Sequence, residues 1–173
     1  MIKKTLMAIV LFIVLFTSFA GGITRIPNNI DTETSFRSNE ERGFYNITVL
    51  ETWDLLNTTS EDKPVLIDVR RIDEYYTERI KTPYPEDWPR WFPYQYRYNT
   101  LGGAIMNQGV LLQAFMSYYD GKEIILYCRT SNRTFFSAEI LVENGFNGTV
   151  YNMVGGIVEW KHIGLPTVQR FKS

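Results

Sequence analysis

The sequence predicts an α/β domain built on a largely parallel sheet, and three observations lead there. From Tyr45 onward, short apolar runs alternate with amphipathic stretches, the pattern left by repeated strand–helix–strand units. The runs at 65–69 (Val-Leu-Ile-Asp-Val) and 123–127 (Glu-Ile-Ile-Leu-Tyr) are almost continuously apolar, as suits strands covered on both faces. The chain has 173 residues, 45% hydrophobic and 21% charged, which is enough for one packed core and cramped for two.

Taken from the amino end, Lys3 and Lys4 precede an apolar run from Leu6 to Phe16, and Ser18-Phe19-Ala20 offers small residues at the two positions a signal peptidase reads. Residues 1–20 are therefore expected to be a secretory signal. A buried core helix is the competing reading, but it fits poorly with an all-round apolar stretch behind paired lysines at an extreme terminus. The run falls short of the roughly 20 apolar residues that span a bilayer comfortably. Membrane association through residues 5–20 is thus expected only if the signal stays uncleaved, and the expected location is periplasmic or extracellular. Residues 21–44 are polar, with Pro27, Asn28 and Asn29, and read as a linker. The domain proper is residues 45–173.

Within that domain, helices are expected at 50–56, near 73–79 and at 110–118, with strands at 65–69 and 123–127. The strongest helical pattern follows Cys128, where Phe135, Phe136, Ala138, Ile140, Leu141 and Val142 recur near three-and-four spacing and Asn144-Gly145 supplies a stop. A strand at 149–151 after the Asn147-Gly148 turn and a short helix at 155–162 complete the alternation. One stretch breaks it. Residues 82–101 hold Pro83, Pro85, Pro89 and Pro93 among Tyr84, Trp88, Trp91, Phe92, Tyr94, Tyr96 and Tyr98. Such proline density excludes a regular helix or a central strand, while the aromatic content argues for a packed excursion.

The formal net charge of −1 comes without a basic block or an arginine-rich face, so no nucleic-acid partner is expected. One cysteine and one histidine exclude an intramolecular disulfide and leave no structural zinc spacing, so no metal or other cofactor is expected. Four Asn-x-Ser/Thr triplets begin at Asn46, Asn57, Asn132 and Asn147 and leave glycosylation open.

Cys128 ends an apolar strand and opens the loop Cys128-Arg129-Thr130-Ser131-Asn132-Arg133, inside or just after which the best helix starts. In open parallel sheets ligands bind beyond the carboxyl ends of strands, where helix amino ends present unpaired N–H groups. A sulfur there faces the positive end of the helix and the charges of Arg129 and Arg133, surroundings that favour the nucleophilic thiolate. Successive N–H groups of the turn can hold an anion such as a sulfonate or a persulfide terminus, and Thr130, Ser131 and Asn132 add short polar side chains. A preformed thiolate needs no general base. Most free cysteines are small buried hydrophobes, yet an inert core cysteine has no need of the polar loop and two arginines that flank this one.

Several segments together resemble the rhodanese-like domain family over roughly residues 45–168. These are Val65-Leu66-Ile67-Asp68-Val69-Arg70 followed by Glu74-Tyr75, then Gly103-Ala104-Ile105, the loop 128–133, Gly155-Gly156 with Trp160, and Gly164-Leu165-Pro166. The resemblance implies a central, mostly parallel sheet of about five strands with helices on both faces. It implies that Cys128 accepts sulfane sulfur as a persulfide, that Arg129 to Arg133 cradle it through backbone N–H groups, and that Asp68 and Arg70 lie near the site for structure and substrate contacts. For that last pair, a surface-facing ion pair capping the strand is the alternative. Four residues between cysteine and arginine suit sulfur in this family, whereas related dual-specificity phosphatases have one more.

There are two departures from the family pattern. Ser131 stands where the family commonly has glycine, and serine in a positive-φ conformation would cost on the order of 1 kcal/mol or more. The usual Gly-His-Ile-Pro-Gly-Ala run is split, with Glu78-Arg79-Ile80 and Gly103-Ala104-Ile105 flanking the aromatic excursion. The excursion is expected to leave the sheet at the end opposite the cysteine, and about 20 extended residues reach roughly 65 Å, far enough to return as a lid or partner-docking surface. A packed decoration on the flank is the other reading.

The function expected is an exported sulfurtransferase that takes sulfane sulfur from thiosulfate or a persulfide and passes it to a thiol or cyanide-like acceptor. The alternative is a non-catalytic binding or sulfur-carrier module that docks a protein partner. A phosphatase or arsenate reductase ranks third, since the loop is short and no second cysteine exists to resolve an intermediate.

Overall fold

The computed structural model describes residues 42–60, 62–94 and 109–169. The expected signal, almost all of the linker, Gly103-Ala104-Ile105 and the later part of the aromatic excursion lie outside the described residues.

The elements run β1 (Tyr45–Ile47), α1 (Val49–Leu56), β2 (Val65–Asp68), α2 (Ile72–Thr77), β3 (Glu78–Ile80), a 3₁₀ turn (Pro85–Asp87), β4 (Arg90–Trp91), α3 (Gly109–Tyr118), β5 (Glu123–Tyr127), α4 (Asn132–Glu143), β6 (Thr149–Met153), α5 (Gly156–His162) and β7 (Thr167–Gln169). Five strands form one sheet in the order β1-β6-β5-β2-β4, with every neighbouring pair parallel. The register sets Val65 to Asp68 against Ile124 to Tyr127.

Alternation along these strands divides the core in two, because successive side chains point to opposite faces. On one face Ile67, Val69, Ile124, Leu126, Cys128 and Val150 pack with Leu112 and Phe115 of α3 and Ala138 and Leu141 of α4. On the other, Leu66, Ile125, Tyr127 and Met153 pack with Val49 and Leu56 of α1, Ile80 of β3, and Ile157 and Trp160 of α5. Each fully buried aliphatic side chain contributes about 1.5–3 kcal/mol, which explains why the central runs are apolar throughout. Helix α1 starts at a capping box: the Thr48 N–H donates to Glu51 Oε2 at 2.7 Å and the Glu51 N–H to Thr48 Oγ1 at 3.2 Å.

The helix expected near 73–79 ends at Thr77, and Glu78 and Arg79 are extended instead, pairing with Gln169 and Val168 of the antiparallel β7. Tertiary contacts override helix propensity here. Ile80 is drawn fully into the second core, and the Glu78 carboxylate takes Lys161, Thr167 and Gln169 as donors.

The excursion's described part contains a two-residue strand, β4, at the sheet edge, the position prolines permit. It runs parallel to β2 and so returns toward the carboxyl end of the sheet. Phe92 N–H donates to the Asp68 carbonyl at 3.0 Å and Tyr94 N–H to the Val69 carbonyl at 2.9 Å, and the Tyr94 ring stacks on Phe136 of α4. Residues 82–94 therefore reach the cysteine's end of the sheet as a packed edge.

Candidate functional site

Strands β2 and β4 step toward one edge of the sheet, and β5 and β6 toward the other. The carboxyl ends of β2 and β5 thus part at a topological switch point, where open α/β sheets place their ligands. Beyond β2 lie Val69, Arg70 and Arg71. Beyond β5 lies the loop that begins at Cys128.

Cys128 is 1% exposed and belongs to the core on the α3/α4 face. Its Sγ lies 3.9 Å from Thr134 Oγ1, in the first turn of α4. The sulfur is thus packed like a core cysteine and is also in contact with the amino end of a 12-residue helix. The first backbone bond of that helix runs from Phe135 N–H to the Ser131 carbonyl at 3.0 Å, so the amides of Asn132, Arg133 and Thr134 have no intrahelical acceptor. Among the described residues no side chain caps them. Ser131 occupies the N-cap with φ 75 and ψ −5, and its hydroxyl turns to the Thr130 carbonyl instead. It is the only non-glycine residue with positive φ among the described residues, which realises the strain expected of serine at this position.

Helix α5 fixes the other side of the loop. Ile157 N–H donates to the Cys128 carbonyl at 2.9 Å and Val158 N–H to the Arg129 carbonyl at 3.2 Å. In a trans peptide the N–H and C=O point oppositely, so the amides of Arg129 and Thr130 are turned away from α5. This close approach depends on Gly156, at φ +60, where a Cβ would run into the carbonyl oxygens of Arg129 and Cys128. The Gly155-Gly156 pair was legible in the sequence; that its second glycine makes room for the cysteine loop was not.

The two loop arginines are placed differently. Arg133 is engaged in a bidentate pair with Glu74 of α2, at 2.6 and 2.8 Å. Burial opposes its charge, but the hydrogen bonds and charge of Glu74 outweigh burial and hold the guanidinium above its ordinary value. Burial likewise raises Glu74, yet Arg133 more than offsets it and keeps the carboxylate below its usual range. Glu74 was quoted in the sequence only as part of a motif, so its role as the partner of Arg133 is new. Arg129 is exposed and lines a cleft of about 520 Å³ with Arg70, Arg71, Glu74, Val158 and Lys161. Thr130 and Asn132 are exposed and Ser131 is half-buried.

Asp68 and Arg70 form a buried ion pair, with side-chain exposures of 0% and 6%. Arg70 Nε and Nη2 donate to the Asp68 carboxylate at 2.9 to 3.1 Å and at 2.7 Å. Nη2 also reaches the Glu78 carbonyl at 2.6 Å. Burial works against the Arg70 charge, but the hydrogen bonds and charge of Asp68 prevail and the guanidinium is held above its ordinary value. The surface-facing alternative is thereby corrected: the pair lies under the switch point, where it ties β2 to β3, because Tyr127, Glu78 and β4 enclose it. Trp91 Nε1 adds a bond to the Arg70 carbonyl at 2.9 Å, a contact no sequence pattern announced.

A family model for the rhodanese-like domain matches residues 48–163. An uncharacterized Synechocystis protein is 31% identical over 109 residues, covering 63% of this chain and 49% of its own. A protein named sulfurtransferase from Allochromatium vinosum is 36% identical over 47 residues, 27% of this chain and 43% of its own. The chain spans about half the length of the curated relatives it matches. Among solved structures, the rhodanese-like domain of the Anabaena protein Alr3790 superposes with a TM-score of 0.52 at 19% identity, over 72% of this chain and 78% of that one. A thiosulfate sulfurtransferase from Pseudomonas aeruginosa does so with 0.53 at 20% identity, over 78% of this chain and 22% of that one. At these identities the structures speak for the fold alone.

Proposed function

Since this chain belongs to the rhodanese-like domain family, we propose that it is an exported sulfurtransferase moving sulfane sulfur from thiosulfate or a persulfide to a thiol or cyanide-like acceptor through a persulfide on Cys128. The observation that carries this reading is the position of Cys128 at the carboxyl end of the central strand, in contact with the first turn of an uncapped α4. The name carried by the Allochromatium relative supports the same activity.

In the first step the Cys128 thiolate attacks the outer, sulfane sulfur of thiosulfate. A new S–S bond forms, the old one breaks, and sulfite leaves with the electron pair. In the second step an acceptor thiolate or cyanide attacks the outer sulfur of the persulfide, and the Cys128 thiolate is the leaving group. No net oxidant and no general base is required. The open amides of residues 132–134 are suited to receive the negative charge that travels with the sulfur. Arg129 stands on the rim of the cleft without a carboxylate partner among the described residues, positioned to attract an anionic donor. Export rests on Lys3, Lys4 and the apolar run that follows.

The test is cyanide-dependent thiocyanate release from thiosulfate. The wild-type chain should turn over and Cys128→Ser should not; turnover retained by that variant would overturn the mechanism. A second reading, a non-catalytic sulfur carrier or binding module, is favoured by the strained Ser131 backbone and by Val158, which lines the cleft and is 47% exposed. It predicts negligible turnover with small donors and a partner complex that survives Cys128→Ser.

A further inference from the structure

Two aromatic rings enclose the guanidinium of Arg79 on β3. Its Cζ lies 4.1 Å from the Trp88 ring centroid and 5.1 Å from that of Tyr75. Tyr75 is itself fixed: its hydroxyl donates to the Pro89 carbonyl at 2.9 Å, and its ring centroid lies 6.4 Å from that of Trp91. Arg79 is half-buried, its Nε is buried without a hydrogen-bond partner, and no carboxylate among the described residues forms an ion pair with it. The acids of the surrounding elements are engaged elsewhere, Glu74 by Arg133, Glu78 by Lys161 and Asp87 by Lys63, while Glu86 is exposed and pairs with no arginine. A partly desolvated cation ordinarily has an acid beside it. The rings stabilise the charge through their negative faces but leave Nε without an acceptor. Beside this frame, Trp88 is 37% exposed, and with Arg90 it lines a hollow of about 580 Å³ that Tyr118 and Tyr119 also line. Arg90 is exposed and likewise has no carboxylate partner among the described residues. Tyr76, whose ring meets that of Tyr75 edge-on, is 43% exposed.

We propose that Arg79 in its aromatic frame anchors a docking surface for an acidic segment of a protein partner: one carboxylate meets Arg79, a second meets Arg90, and an apolar side chain between them enters the hollow beside Trp88. This surface goes beyond sulfur transfer and does not depend on it. The planar guanidinium fork matches a carboxylate through two parallel hydrogen bonds. Because the rings already hold Arg79, little side-chain freedom is left to lose when that carboxylate arrives. Exposed tryptophan, tyrosine and arginine together are the composition of interface anchors, and the rings call for apolar cover as much as the cations call for charge. Two unpaired arginines set among aromatic rings are too few for the run of phosphates along a nucleic acid. A peptide with carboxylates on either side of an apolar residue answers both demands.

The experiment follows, by fluorescence anisotropy, the binding to the full chain of a fluorescein-labelled peptide of glutamate and leucine and of its counterpart with glutamine for glutamate. Thermal midpoints are recorded for every variant. The glutamate peptide should bind, more weakly as salt is raised, and the glutamine peptide should not. Arg79→Gln should weaken binding about tenfold or more, and Arg79→Lys should recover only part of it, because an ammonium lacks the planar fork. Arg90→Gln and Trp88→Ala should each weaken it about two- to fivefold. Arg42→Gln, which removes the same charge beside β1 at the opposite edge of the sheet, should bind as wild type. Equal binding of the two peptides would overturn the proposal. So would wild-type affinity in Arg79→Gln beside a lowered thermal midpoint, since the cation would then merely brace β3. Polyuridylate or phosphatidylserine vesicles that bind through Arg79 where the glutamate peptide does not would overturn it in favour of another occupant. Should Arg79→Gln fail to fold, Arg79→Lys and Arg90→Gln carry the test, and wild-type affinity in both overturns the proposal.

Discussion

Ser131 combines a left-handed backbone with a side chain that a helix amino end would ordinarily use as a cap. The αL conformation costs a non-glycine residue about 1–2 kcal/mol, and glycine returns part of that gain through its greater freedom when unfolded. Ser131→Gly should therefore stabilise the fold by about 0.5–1 kcal/mol, read from denaturant midpoints, and thiosulfate loading should be kept; a loss of stability would show that the serine hydroxyl matters more than the strain. At Gly156 the sign reverses. A Cβ there meets backbone carbonyl oxygens rather than a yielding side chain, and the positive φ adds to the conflict. Gly156→Ala should cost about 2–4 kcal/mol and displace the Cys128–Arg129 segment; a thermal midpoint equal to wild type would contradict that packing.

At the scale of elements, the buried pair at the end of β2 is the joint between the sheet and the β3/β7 ribbon. Removing one partner of such a pair leaves an uncompensated charge at a cost of about 3–5 kcal/mol. Asp68→Ala should therefore destabilise by roughly that amount, whereas Trp91→Phe, which takes one donor from the Arg70 carbonyl, should cost about 1 kcal/mol. Equal effects of the two in equilibrium unfolding would contradict this ranking. The elements legible in sequence were those whose own periodicity decides them: β2, β5, α4 and α5 form where the apolar runs and the three-and-four spacing placed them. β3 and β7 were not legible, because Glu78 and Arg79 carry helix-compatible residues and only Ile80's burial and the donors to Glu78 draw them into a ribbon. β4 escaped for a related reason. Its prolines forbid a central strand but are silent about an edge. In the site, Cys128 and its loop could be read from the sequence, while the partners Glu74, Gly156 and Trp91 lie on other elements and depend on topology to arrive.

For the whole molecule, acid stability follows from carboxylates shared between elements. Glu74 joins α2 to α4, and Glu78 joins β3 to α5 and β7. Burial alone would raise both, but their cationic and hydroxyl or amide donors hold both below the ordinary glutamate value of 4.5. A carboxylate whose folded value is depressed contributes stability fully present above its unfolded value and lost as pH falls through the lower folded one. The thermal midpoint should accordingly decline as pH drops below about 4.5, and Glu74→Gln should flatten that decline by lowering the midpoint at higher pH, where the carboxylate's contribution is lost, so that variant and wild type converge in acid. A variant with an undiminished acid limb would show that other carboxylates govern it.

The central claim is that the sulfur of Cys128 itself carries the transferred atom, and intact mass after incubation with thiosulfate reads this most directly. The wild-type chain should gain the mass of one sulfur, lose it again on addition of cyanide, and show neither change as Cys128→Ser. A chain whose mass stays the same, or a variant that still gains the sulfur, would contradict the account.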